Sequence, residues 1–278
     1  FKPFMALAAL NTGKRAPIPP FGEEHEELRE SVRRFVSKEI APNIEEWEEA
    51  REFPLSLFKR MGELGFLGIS YPEEYGGQGG DYYCNLVLAE EITKSNSGGL
   101  AMGVAVHTDM ATPPVFLFGT EEQKQEYLVP AIKGEKISCL GITEPDAGSD
   151  VAGRRTRARR DGDEWVIDGT KLYITNGAQA DWICVLARTS DEGGSRGVSQ
   201  IVVPTDTPGL SVSRTLDKLG MRSSDTAELV FDGVRVPVEH LIGVEGRGFQ
   251  QQLEQFQQER MLAAYQAVGS MDQALAAT

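Results

Sequence analysis

The stretch Leu140-Gly141-Ile142-Thr143-Glu144-Pro145-Asp146-Ala147-Gly148-Ser149-Asp150 leaves a β-type run and enters a turn rich in Gly, Ser and Asp. Such a turn can present backbone N–H groups and hydroxyls to a phosphate or a flat polar ring. A hairpin turn with no ligand is the competing reading of the same residues. The stretch lies just past a change of texture at Gly134. Before it, apolar residues recur at helical spacing; after it, short β-rich runs are separated by Asp-Gly pairs.

Those runs are Lys136–Ile142, Trp165–Ile167, Leu172–Thr175, Trp182–Ala187, Ser199–Val203 and Glu228–Phe231. The Asp-Gly pairs at 161–162, 168–169 and 232–233 read as hairpin turns. Upstream, Leu28, Val32, Phe35, Val36 and Ile40 mark a helix that Pro42 stops. Phe58, Met61 and Leu64 mark a second helix between Pro54 and Gly65. Asp81 reads as the N-cap of a helix to Ile92, and Thr120 with Gln123 as a capping box. Gly98–His107 is as small and apolar as a tightly packed buried helix. From Phe249 one long helix carries Leu253, Phe256, Met261, Ala264 and Val268 on one side, with Gln250–Gln258 as its polar face. Helices segregated from strands predict an α domain joined to a β domain, not an alternating sheet. The expected division is an unassigned arm over 1–19, an all-α domain over 20–135, a β domain over 136–245, and the start of a further helical domain over 246–278.

At 278 residues there is room for about two domains. A net charge of −14 repels phosphate backbones, which argues against nucleic acid as a partner. No run approaches the about 18 apolar residues of a membrane span. Cys84, Cys139 and Cys184 are scattered and His25, His107 and His240 do not join them, so neither a disulfide framework nor a metal site is expected. The cysteines read as small buried residues in a reducing compartment. Arg154, Arg155, Arg157, Arg159 and Arg160 read as a solvated strand face, and His107 as a hydrogen-bonded packing residue.

A second segment, Trp165–Gly177, alternates so that Tyr173 and Thr175 share a strand face, where a ring beside a hydroxyl could hold a heterocycle. Taken alone, Tyr173 reads as a core aromatic. In order along the chain stand YPEEYGGQGG (71–80), FGTEEQKQEYLVP (118–130), TEPDAGSD (143–150), DGTKLYITNG (168–177) and LGMRSSDTAELVFDGVRVP (219–237). This combination resembles the acyl-CoA dehydrogenase family over about residues 20–278. The resemblance implies an N-terminal helical domain, a middle antiparallel β-barrel-like domain facing FAD, and a C-terminal helical-bundle domain. Only the first helix of that last domain is matched, so a fragment is expected. It further implies a homotetramer, an acyl-CoA substrate, an electron-transfer flavoprotein as electron acceptor, and a place in the cytoplasm or the mitochondrial matrix.

By the same resemblance Leu140, Ile142 and Thr143 lie against the flavin ring, Ser149 touches pyrophosphate and substrate, and Tyr173 and Thr175 close the other side. The reaction removes an α-proton from a medium- to long-chain, straight or branched, acyl thioester. Its base is a carboxylate in a dry pocket that raises its pKa. GFQQQLEQFQQERMLAA (248–264) resembles the branch in which a Glu before an Arg on this helix is the base, which is Glu259 here. Glu259 then borders the apolar stripe and Arg260 falls near its middle, with Gln257, Gln258 and Arg260 beside the CoA or acyl chain. The blander reading is an ordinary Glu-Arg pair on a helix. Two rival functions are a flavin oxidase or monooxygenase of the same fold, and a non-catalytic fragment that binds a partner through the helix from Phe249.

Overall fold

The computed structural model describes residues 21–150, 153–192 and 196–278; the arm expected over 1–19 lies outside them. Helix α1 (Glu23–Phe35) buries Val32 and Phe35 and continues into a π-helical segment, Val36–Ile40. That run ends at Ile40, beside Pro42 as expected. Pro42 sits early in a 3₁₀ turn, Ala41–Asn43, where its missing N–H costs nothing, and α2 (Ile44–Ala50) follows. Helix α3 (Ser56–Glu63) buries Leu57, Phe58 and Met61, whereas Leu64 falls just past its end and is 37% exposed.

The Asp81 carboxylate caps α4 (Tyr82–Thr93) by accepting the Cys84 N–H at 3.2 Å. Helix α5 (Gly98–Ala105) passes through a π-helical segment, Val106–Ala111, into α6 (Thr112–Phe118). Thr120 and Gln123 form the expected reciprocal cap on α7 (Glu121–Gln123). A π-helical segment, Lys124–Leu128, and α8 (Val129–Ile132) complete this helical part.

The strands are β1 (Ser138–Gly141), β2 (Arg157–Asp161), β3 (Glu164–Thr175), β4 (Trp182–Arg188), β5 (Val198–Pro204), β6 (Leu210–Thr215), β7 (Thr226–Pro237) and β8 (Leu241–Ile242). They form one sheet in the order β6-β7-β3-β2-β4-β5-β8, with β1 also on β4. Pairing is antiparallel except where β1 and β2 each run parallel to β4. Asp161-Gly162 lies at the β2–β3 turn as expected. The other two Asp-Gly pairs are not turns. They lie inside β3 and β7, so the runs 165–167 and 172–175 are one strand. Between the pairs Ile167↔Val234 and Gly169↔Phe231, β7 carries one more residue than β3. Gly233 takes φ 61° in this bulge and gives its N–H to the Asp168 carboxylate at 2.8 Å. Asp-Gly chemistry served a bulge here because the ladder continues on both sides of it.

Strand β4 has two buried faces. Trp182 and Cys184 join Val202, Ile242 and Leu140 against Val115, Tyr127 and Leu128 of the helices. Ile183, Val185 and Ala187 point the other way with Ile201 and Val203. The last helix, α9 (Gly248–Ala277), packs along α4 and β5. Its inward face is not the side that carries Leu253 and Val268. Gln251, Gln252, Gln255, Leu262 and Gly269 are buried, while Leu253 and Val268 are 44% and 49% exposed. The glutamines are turned inward because polar groups on the facing elements require hydrogen-bond partners.

Candidate active site

Two loops meet at the end of β1. After Gly141 the chain turns through Glu144 and Ala147, which exchange backbone hydrogen bonds at 3.1 Å in both directions. Opposite, β3 carries an extra residue between Lys171↔Leu229 and Ile174↔Ala227. That bulge breaks the alternation assumed for Tyr173 and Thr175. Lys171 and Ile174 are buried and Thr175 is half-buried. Tyr173 takes φ 62° and is 64% exposed, so it is not a core aromatic. The bulge also frees the Leu172 N–H, which donates to the Thr143 carbonyl at 2.9 Å. The two segments singled out in the sequence are thus joined directly.

The joint is held from beneath by a buried ion pair that sequence reasoning missed. Lys171 Nζ lies 2.8 Å from Glu144 Oε1 and also donates to the carbonyls of Ile142 (3.2 Å) and Leu186 (2.7 Å). Burial pulls the Lys171 ammonium down to about 8, against the attraction of Glu144. Burial pushes the Glu144 carboxyl upward. The Lys171 charge and the N–H groups of Arg155 and Thr156 outweigh this and hold it below its ordinary value. Both residues stand inside the quoted motifs, but nothing in their spacing announces a contact across 27 positions.

The carboxylate of Glu259 is turned inward from α9 and half-buried. Its Oε1 accepts from Gln252 Nε2 at 3.0 Å. Burial pushes its pKa up to about 8; donation from Gln252 and Gln255 opposes the rise, Asp109 adds to it, and Arg260 lowers it. Asp109, itself raised to about 6 by burial, accepts from Asn85 at 2.9 Å. Burial and the Glu259 charge push the Cys184 thiol up to about 12. Cys184 is the register partner of Leu140. Glu259 therefore acts electrostatically on the sheet face that carries Leu140.

The remaining expected contacts divide. Ile142 and Thr143 are half-buried beside the joint, and Ser149 is exposed on the turn. Gln257, Gln258 and Arg260 lie on the exposed side of α9. Arg260 is not in a buried stripe as expected; it stacks over the Phe256 ring at 5.7 Å. The helix is rotated from its expected orientation, which exposes Arg260 and encloses Glu259. Of the basic run, Arg155 and Arg157 are exposed and pair with Asp146 and Asp191, each at 3.0 Å. Arg154 departs from the solvated reading: it is buried, with its guanidinium 5.5 Å over Phe249.

Hollows border α9. One of about 200 Å³ is lined by Ser70, Tyr82, Asn85, Asp109, Phe116 and Gln258. A larger one of about 650 Å³ is lined by Ser190, Arg196, Arg247, Phe249 and Gln250. Among the described residues one group has metal-ligating geometry, His25, Asp81 and Cys84. Its atoms are already used for helix capping: His25 Nδ1 accepts the Gly22 N–H and Nε2 binds Asp81, which caps α4.

Residues 22–135 match the model of the acyl-CoA dehydrogenase N-terminal domain, and residues 139–234 that of the middle domain. A Bacillus subtilis protein described as a probable acyl-CoA dehydrogenase is 44% identical over 92% of this chain and 67% of its own length. A structure titled as the electron transferring flavoprotein of Acidaminococcus fermentans superposes with a TM-score of 0.89 at 37% identity, over 93% of this chain and 68% of that one. A glutaryl-CoA dehydrogenase from Mycobacterium smegmatis in complex with FADH2 gives 0.83 at 36%, over 90% and 62%. The chain spans about two thirds of the length of these relatives.

Proposed function

This chain belongs to the acyl-CoA dehydrogenase family, and we propose that it carries the flavin-facing wall and the base of an FAD-dependent α,β-dehydrogenation of acyl-CoA. The substrate class is a medium- to long-chain acyl-CoA, straight or branched, with an electron-transfer flavoprotein as electron acceptor and a homotetramer as the assembled form. The relative that binds FADH2 and the neighbour titled as an electron transferring flavoprotein support the cofactor and the acceptor.

The residues suit a flavin. Tyr173 offers an exposed ring on a backbone held by the bulge, and Thr143 and Thr175 bring half-buried hydroxyls to the same joint. Leu140 and Ile142 supply apolar wall, and Ser149 an exposed hydroxyl at the turn. When bound, FAD supplies the acceptor for the β-hydride. The chain's own task is to fix that ring and to take the α-proton.

One observation carries the reading: a carboxylate raised to about 8 reaches inward from α9 toward the sheet face bearing Leu140. A base with a pKa near the working pH is an effective acceptor of an α-proton and holds the proton once taken. Gln252 steadies the ionised oxygen.

The test is Glu259→Gln in the full-length protein, monitored by the visible spectrum. Retained FAD with loss of bleaching by every member of an acyl-CoA panel is the expected result. Unchanged bleaching removes Glu259 from the mechanism. Slow reoxidation in air and rapid reoxidation by a carrier flavoprotein separate a dehydrogenase from an oxidase of the same fold.

A further inference from the structure

The buried face of α9 contains more amide than a helix–sheet contact needs. Gln252 is fully buried and Gln255 is 2% exposed, and beneath them on β5 Gln200 is fully buried as well. Side chains of this kind are rarely enclosed unless something polar must be held. Gln200 lies on the same sheet face as Cys184 and Val202, opposite Leu186 in the β4–β5 register. Its Nε2 donates to Gln252 Oε1 at 3.1 Å, and Gln252 Nε2 donates to Glu259 Oε1 at 3.0 Å. With its oxygen taken by Gln200, Gln252 turns N–H toward Glu259; against the ionised carboxylate the flipped amide would set oxygen against oxygen.

We propose that Gln200 and Gln252 form a positioning relay that runs from the sheet to α9 and fixes the orientation of the Glu259 carboxylate. Gln200 does not touch Glu259, and Gln252 bonds only one of its carboxylate oxygens. Gln200 sets the rotamer of Gln252, and Gln252 aims one carboxylate oxygen, leaving the other for the substrate. Gln255, whose Nε2 is bonded to the Met110 carbonyl, flanks the same carboxylate from one turn away. The charged and titratable groups facing Glu259 from its own and the neighbouring elements are Arg260 on α9, Asp109 on the π-helical segment, Tyr82 on α4 and Cys184 on β4. The relay opposes the desolvation of the ionised base without adding a positive charge, which would repel the proton and lower the pKa of the base.

The importance of the relay for chemistry rests on Glu259 being the base, but its test does not require turnover. The carboxyl carbon of Glu259 is titrated by NMR in protein labelled at glutamate, its resonance identified by its disappearance in Glu259→Gln. Gln252→Met keeps the volume and removes the donor, and the midpoint is expected to rise by about one pH unit. Gln200→Met leaves α9 unchanged and is expected to raise it by less. The double variant should match Gln252→Met alone, because Gln200 acts only through Gln252. An unmoved midpoint in Gln252→Met, or shifts that add in the double variant, overturns the relay. If Gln252→Met does not fold, an unmoved midpoint in Gln200→Met overturns it equally. Full flavin bleaching in Glu259→Gln would remove the base assignment and leave this titration result intact.

Discussion

Lys171 Nζ stands 2.8 Å from Glu144 Oε1 with both side chains buried, so the turn after β1 is tied to β3 by charge as well as by backbone. Removing one partner strands the other in a dry environment. Lys171→Met is expected to lose about 3–5 kcal/mol of stability, read from urea unfolding. Adding Glu144→Gln should recover part of the loss, since the amide oxygen can still accept the Thr156 N–H. A loss below about 1 kcal/mol would show that the pair is not what holds the joint.

His107 is buried, with Nδ1 facing the Ser138 N–H at 3.1 Å and Nε2 facing the Ala131 carbonyl at 3.0 Å. Burial lowers its pKa from 6.5 to about 4. Between those values the unfolded chain binds more protons, so this group's contribution is present above pH 6.5 and is lost as pH falls toward 4. The change amounts to roughly 3 kcal/mol. Asp109, raised to about 6, acts in the opposite sense over part of the window. The comparison that isolates His107 is therefore the pH dependence of unfolding in the parent against His107→Gln: relative to the variant, the parent should gain roughly 3 kcal/mol between pH 4 and 6.5. Parallel curves would contradict the assignment.

Glu259 is held at a cost to the fold. With its pKa raised from 4.5 to about 8, the folded protein binds more protons across that window, and stability falls as pH rises through it. Glu259→Gln should be close to neutral at pH 5 and about 1–3 kcal/mol more stable than the parent at pH 8, allowing for partial exposure of the carboxylate. Denaturation midpoints at the two pH values decide the matter. A variant less stable than the parent at pH 8 would mean the ionised carboxylate is a net stabilising group.

The loop 71–80 contains neighbouring glycines with different duties. Gly76 takes φ 89° with nothing near its missing side chain, whereas a Cβ on Gly77 would stand 2.0 Å from the Tyr71 carbonyl oxygen. Gly76→Ala is expected to cost about 1 kcal/mol through backbone strain alone. Gly77→Ala must displace backbone and should cost about 2–4 kcal/mol. Equal losses in thermal unfolding would refute the distinction.

Local chemistry was the readable part of this sequence. Asp81 and the Thr120–Gln123 box start helices where their side chains predict, because a cap is decided within four residues. Trp182–Arg188 and Val198–Pro204 are strands buried on both faces, and their apolar runs gave them away. Strand β6 is almost wholly exposed and carries no such signal. Asp168-Gly169 and Asp232-Gly233 misled because the same pair serves turns and bulges, and only the partner strand decides which. Of the site, the motifs around Thr143 and Tyr173 were legible one at a time, but the Leu172–Thr143 bond and the Lys171–Glu144 pair arise from tertiary pairing. The apolar side of α9 was legible in Leu253 and Val268, but the side it turns to the sheet was not, because that depends on Gln200, 52 positions from Gln252 in the chain.

A seam of amides grips in one alignment only. Slipping Gly248–Ala277 by one residue would swing each side chain about 100° around the axis, leaving Gln200 without its acceptor and Glu259 aimed elsewhere. An oily seam would tolerate such an error; this one rejects it. The long helix thus carries its own register check against β5.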